Sequence, residues 1–359
     1  MPSILAALPD DLKASLQKPF DPACADDTAQ YAKLVPRFKL NPKYVVPPTA
    51  PESCARRERA TGWQILGGPL ADEPDQGIDD NLADFYPLSE IDPKNDRSYT
   101  GGNSKGPTKG IRHLYFAGLE WSHAIRSFQF PFRALGQNPE RILLYAEEAR
   151  SLLKDPNNPW GYRILLWAVH YLQDLNQPFH STQVPSLSFV IWSNLFQWPA
   201  SRAFHTFISE GGRTLYNYHT AYESFASAEV LAGHSGALSP CLENSQARSS
   251  FSKYSPEITP ARLSAYKSPL FLGDLASVVL VSSRNLAPEV GRTVYDYFGP
   301  ALKEKGVDLP HGKGTIDYQK WAAMPELENQ RKNLEDVTCT AIANTVYSSK
   351  LLIEWALQP

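Results

Sequence analysis

Apolar positions recur every three or four residues over several stretches of the chain, the signature of helices with one buried face. Residues 3–17 place Ile4, Leu5, Leu8, Leu12 and Leu16 at that spacing and read as one short amphipathic helix. Two stronger runs, ERILLYAEEARSLLK and WGYRILLWAVHYLQDL, follow Asn138-Pro139-Glu140 and Asn158-Pro159. Each of those openings reads as an N-cap with proline at the first helical position. Further helices are expected over 204–228, 271–284 and 331–357, the last with Leu334, Val337, Ala341, Thr345, Leu352 and Ala356 along one stripe. Few runs alternate with period two. The fold class expected is therefore mainly α, a multi-helix bundle.

Residues 20–110 break that pattern. Pro36, Pro42, Pro47, Pro48, Pro51, Pro69 and Pro74, then TGGNSKGPTKG at 100–110, interrupt any long periodic run. The segment reads as a loop-rich N-terminal lobe and not a linker, because Tyr44, Val45, Val46, Trp63, Ile65 and Leu66 call for burial. Residues 229–260, rich in Ser, Gly and Pro, read as a surface loop without chemistry.

The 359 residues suit one large domain or two ordinary ones. Hydrophobic residues at 42% and charged residues at 20% supply a real core and exclude a disordered polymer. A formal charge of −3 argues against a surface built throughout to neutralise phosphates. Thirty prolines, about 8%, point to many ordered turns. Cys24, Cys54, Cys241 and Cys339 show no CxxC spacing, so they make no zinc ribbon; two disulfides and four buried thiols both suit the count. No run reaches the roughly 18–20 apolar residues of a membrane span. The opening MPSILAALPDDLKASLQ has no basic stretch followed by a long apolar one, which leaves localisation open.

Chemistry concentrates in HYLQDLNQPFH, residues 170–180. His170 and Asp174, four apart, project from one helix face about 40° apart. Pro178 ends or kinks the helix, and His180 follows at once. Such a helix can hold two metals close together, and imidazole with carboxylate suits zinc. The surrounding helix is strongly apolar, so its titratable groups must be paired or metal-bound. A second pair, His219 and Glu223 in YHTAYESF, repeats the four-residue spacing.

These two phrases resemble the zinc-dependent phospholipase C family of bacteria, which carries HYLGDxNQPxH and, downstream, a phrase like FHSKYENF. The resemblance covers roughly residues 60–230 with support from the closing helix. It implies one domain over 1–359, with 20–110 as the loop-rich lobe, 138–228 as the metal-ligand helices and 271–357 as the closing helices. The single-strand-specific zinc nucleases share the fold and the first phrase, but their second usually ends in Asp. Glu223 therefore favours the phospholipase branch.

By this resemblance one metal is held by Asp75, His113, His170 and Asp174, and a second by His180, His219 and Glu223. Asp75, in GGPLADEPDQ, has Asp72 and Asp79 as competitors. His113, in RHLYF, has Phe116 where the family carries an acid, and His123 is its alternative. The family's third metal needs the mature N-terminal residue and a first-helix His, and no histidine here precedes His113. Two zinc ions are expected, with the third site incomplete and Asp174 serving one metal.

The resemblance implies hydrolysis of a glycerophospholipid to diacylglycerol and a phosphorylated head group, with Asp75 as the base. It also implies a secreted or periplasmic location. Between His180 and His219 lie 38 residues, more than the family's connection. Their apolar run LSFVIWSNLFQW, 187–198, is too short to span a bilayer and suits transient contact with a membrane surface. The rival readings are a nuclease stacking bases on aromatic faces and a non-catalytic relative of the fold.

Overall fold

The computed structural model describes residues 2–6, 8–19, 27–38, 40, 61–67, 69–78, 112–123, 126–182, 200–231, 238–243, 249–251 and 268–358. Within 117–135 and 200–209 only the backbone is described. Cys24, Cys54, Asp79 and the run 187–198 lie outside these residues, as does the side chain of His123.

The chain is mainly helical. Among the described residues four helices precede a hairpin: α1 (Pro2–Ala6), α2 (Asp10–Leu16), α3 (Asp27–Phe38) and α4 (Gly62–Leu66). The hairpin pairs β1 (Tyr115–His123) antiparallel with β2 (Arg126–Gly136). Then come α5 (Asn138–Leu152), α6 (Pro159–Asn176), α7 (Pro178–Ser181), α8 (Ala200–Leu231), α9 (Ser239–Glu243), α10 (Ser268–Phe298), α11 (Tyr318–Ala322) and α12 (Glu328–Leu357). No described helix is long and apolar enough to cross a membrane.

Helix α6 is the centre of the bundle. Asn158 caps it by accepting from the Trp160 amide, and Pro159 occupies its first turn. Nearly every residue from Pro159 to Leu172 is buried, whichever way it points. A helix apolar on all sides belongs in a core, and α5, α10 and α12 pack around it. A second cluster, with Phe179, Tyr218, Tyr222, Val290, Val294 and Phe298, lies where α7, α8 and α10 meet.

Several expectations need correction. Residues 3–17 form two helices, not one, because Pro9 has an extended ψ of 147° and starts α2. The hairpin was not expected, although Phe128, Phe130 and Phe132 recur at period two. Helix α10 runs on to Phe298 through Pro288; burial of Ala287, Val290, Val294 and Tyr297 outweighs the hydrogen bond that proline removes. The expected lobe at 20–110 is helical at 27–38 and 62–66, with Leu34, Phe38 and Leu66 in the core.

Within 229–260, the described part is not a detached loop. Cys241 in α9 is disulfide-bonded to Cys339 of α12. The amide of Ser250 donates to the Asn344 side chain at 2.8 Å, and Phe251 is buried.

A candidate two-metal centre

Seven side chains singled out in the sequence come together beside the C-terminal end of α6, α7 and the second half of α8. They fall into two groups: Asp75, His113 and His170, and His180, His219 and Glu223, each with donor atoms within 4.8 Å of one another. Asp174 lies against the first. Asp72 is exposed and belongs to neither group.

In the first group His113 Nδ1 and His170 Nε2 are 3.2 Å apart. Asp75 Oδ1 is 3.7 Å from the former and 3.6 Å from the latter. Asp174 Oδ2 is 2.7 Å from His113 Nδ1 and 3.3 Å from His170 Nε2. A tetrahedral cation bound at about 2.0–2.1 Å needs donor atoms about 3.3 Å apart. The His113–His170 and His170–Asp174 spacings of 3.2 and 3.3 Å match it, while Asp75 stands slightly farther and the His113–Asp174 pair sits at hydrogen-bond distance.

Distant parts of the chain deliver these donors. Asp75 sits in a turn after a short 3₁₀ segment, Pro69–Asp72. Glu73, two residues earlier, fastens that turn to α6: it accepts from Arg163 Nε at 2.8 Å, from Arg163 Nη2, and from Trp167 Nε1 at 2.9 Å. His113 is fastened from the other side. Asn138 Nδ2 donates to the carbonyls of His113 (3.0 Å) and Tyr171 (2.8 Å). The expected N-cap at Asn138 is thus corrected: Gln137 occupies the cap position without a side-chain bond, and Asn138 is buried at the site. Gly136 closes the hairpin next to it at φ +113°, where a Cβ would stand 1.9 Å from the Leu114 carbonyl. The His113 ring stacks on Tyr171 at 5.0 Å.

The second group is built from neighbouring helices. His180 lies in α7, and His219 and Glu223 lie one turn apart on α8. Glu223 Oε1 is 3.1 Å from His180 Nε2 and 2.8 Å from His219 Nε2. His180 Nδ1 donates to the His113 carbonyl at 3.2 Å, which fixes the tautomer and leaves Nε2 as the candidate ligand atom. The His219 ring stacks on Phe179 at 5.2 Å. Ser283 Oγ donates to the Asn176 carbonyl and accepts from Ser181 Oγ, tying the α6–α7 junction to α10.

The groups adjoin, with Asp174 Oδ1 facing His180 Nδ1 at 3.8 Å. Burial alone would raise the Asp174 carboxyl, but His170, His113 and His180 together hold it well below the usual carboxylate range. Glu223 behaves likewise, with His219 and His180 outweighing burial. Burial pushes His180 down, yet Asp174 and Glu223 outweigh it and raise it to about 9. His170 is also raised, by Asp174 and Asp75 against burial. The carboxylates therefore demand positive charge, which cations or protons can supply.

Hydrogen bonds alone leave the second group inconsistent. Gln177 Nε2, a donor, is 2.9 Å from His219 Nε2, so that nitrogen must accept. The Glu223 carboxylate, 2.8 Å away, asks the same nitrogen to donate. A cation removes the demand that this nitrogen donate, since it takes the lone pairs of both ring nitrogen and carboxylate, and it leaves one Gln177 hydrogen without that acceptor. The sequence left Glu73 and Gln177 unassigned and read Asn138 only as a cap; of the three, only Gln177 carried a signal for the site, its place inside the 170–180 motif. No protein-family model, curated protein or solved structure matches this chain.

Proposed function

We propose that this protein is a zinc-dependent phosphodiester hydrolase of the phospholipase C type. The observation that carries the reading is the pair of adjoining histidine–carboxylate groups joined by Asp174. The three N/O donors of the second group leave a coordination position open, as catalytic sites do and closed structural sites do not. Zinc is the ion such a donor set suits. Divalent cations held there supply Lewis-acid charge and make water acidic enough to attack near neutral pH.

The chain's own residues then divide the work. Asp75, His113, His170 and Asp174 would hold one cation and His180, His219 and Glu223 the other, placing positive charge on both sides of a phosphodiester. Asp75 is the most solvent-open carboxylate of the two groups, with 59% of its side chain exposed. It is thus the group best placed to take a proton from an incoming water. Attack on phosphorus breaks the bond to glycerol oxygen and releases diacylglycerol and a phosphorylated head group. Glu223, in the position where the related nucleases usually carry Asp, supports the choice of a phospholipid.

Metal analysis after gentle purification tests the first part: about two zinc ions per chain are expected. None, with no uptake on zinc addition, refutes it. Parallel assays on phosphatidylcholine vesicles and single-stranded DNA test the second. Cleavage of DNA alone would move the protein to the nuclease branch.

A further inference from the structure

Gln177 joins two helices and faces the second histidine group, and neither role is explained by the ligand set. It ends α6 and caps α7: its Oε1 accepts from the Phe179 amide at 2.5 Å. That bond decides which end of the amide looks into the site. Flipping the group would set its NH₂ against the Phe179 N–H and its oxygen against Glu223 Oε1, two repulsive pairs in place of two attractive ones. The NH₂ therefore points inward, 3.2 Å from Glu223 Oε1 and 2.9 Å from His219 Nε2.

We infer that Gln177 is an anion-binding residue of the second group, donating from Nε2 to an oxygen of a phosphate ligand. One of its hydrogens is satisfied by Glu223. The other is aimed at His219 Nε2, whose lone pair is consumed once a cation binds there. That hydrogen is then left without its acceptor at the edge of the second donor group, where an anion drawn to the cation could receive it. A rigid donor aimed where charge collects costs little reorganisation when the anion arrives. The cap supplies the rigidity. This inference rests on the metal-site reading above.

The test separates the cap from the donor. Gln177→Ser keeps a hydroxyl able to cap α7 but is too short to reach His219 or Glu223, and it adds no charge. Gln177→Ala removes both functions. Zinc content, thermal midpoint and the affinity of the zinc-loaded protein for inorganic phosphate are measured for each, the last by calorimetry.

Gln177→Ser is expected to keep the wild-type zinc content and midpoint while binding phosphate about ten- to hundredfold more weakly. Gln177→Ala is expected to show the same loss with a lower midpoint. Phosphate affinity within twofold of wild type in a fully zinc-loaded Gln177→Ser protein overturns the inference and leaves the metal reading standing. So does a zinc-loaded wild type that binds no phosphate. A wild type that takes up no zinc overturns both.

Discussion

The first histidine group collects its donors from three places far apart in the chain, whereas the second takes them from two successive helices. Asp75 and His113 come from a turn and a hairpin base, and they reach α6 only because Glu73 and Asn138 bind it. His219 and Glu223 share a helix face, and His180 follows a four-residue helix whose cap is Gln177. The first group is therefore a product of tertiary structure and the second is close to a local one. Damage to the long-range fastenings should empty the first group and affect the second less.

The largest effect is expected where that distinction breaks down. Asp174 contacts the first group and turns its other oxygen toward the second. Asp174→Ala should abolish hydrolysis, empty the first group and weaken the second. His170→Ala should abolish hydrolysis but leave one zinc bound. Both should lower thermal stability, because lost metal leaves buried polar groups unpaired. Zinc titration of the two variants side by side checks this, and equal retention of zinc in both would remove Asp174 from its joining role.

Next comes Asn138. Asn138→Ala deletes two buried hydrogen bonds and leaves two carbonyls without that donor, a destabilisation of about 2–3 kcal/mol by chemical denaturation. Zinc affinity at the first group should fall about ten- to hundredfold, and at the second by less, since only the His180 bond to the His113 carbonyl links it to Asn138. Glu73→Gln should act in the same direction and more weakly, since the amide can still accept from Trp167 while losing the charge opposite Arg163. Equal loss of zinc from both groups in either variant would show that the two groups are not held independently.

This difference also sets what could be read in the sequence. His170/Asp174 and His219/Glu223 were visible because helix geometry puts residues four apart on one face wherever they stand. Asn138 was legible only as a helix start, since Asn before Pro looks like a cap whether or not its amide is drawn elsewhere. Glu73 gave no signal, because its partners Arg163 and Trp167 lie about ninety residues on. The end of α10 was missed for the same reason: proline argues locally for a stop at 288, and only contacts made by Val290 and Val294 argue against it. Ser249 and Ser250 read as solvent-facing by composition, yet both bond the buried Asn344.

The smallest effect concerns a buried carboxylate outside both groups. Glu354 of α12 is 1% exposed, and its nearest compensation is Lys350 Nζ at 3.5 Å. Burial pushes its carboxyl above the ordinary value of 4.5, with Lys350 opposing and Asp11 adding to the rise. Glu223 and Asp174 are shifted the other way, because histidines surround them. A carboxyl raised in the folded state favours folding only while it is protonated. Its contribution is full below the unfolded value and is lost as the pH climbs through the folded one. Glu354→Gln should therefore stabilise the protein at pH 7, by about 1 kcal/mol, and the gain should vanish below about pH 4. Glu223→Gln, by contrast, should lose zinc and gain nothing at either pH. Denaturation of both variants at pH 7 and pH 4 makes the comparison. A Glu354→Gln protein less stable than wild type at pH 7 would mean that the Lys350 pair outweighs the cost of burying the charge.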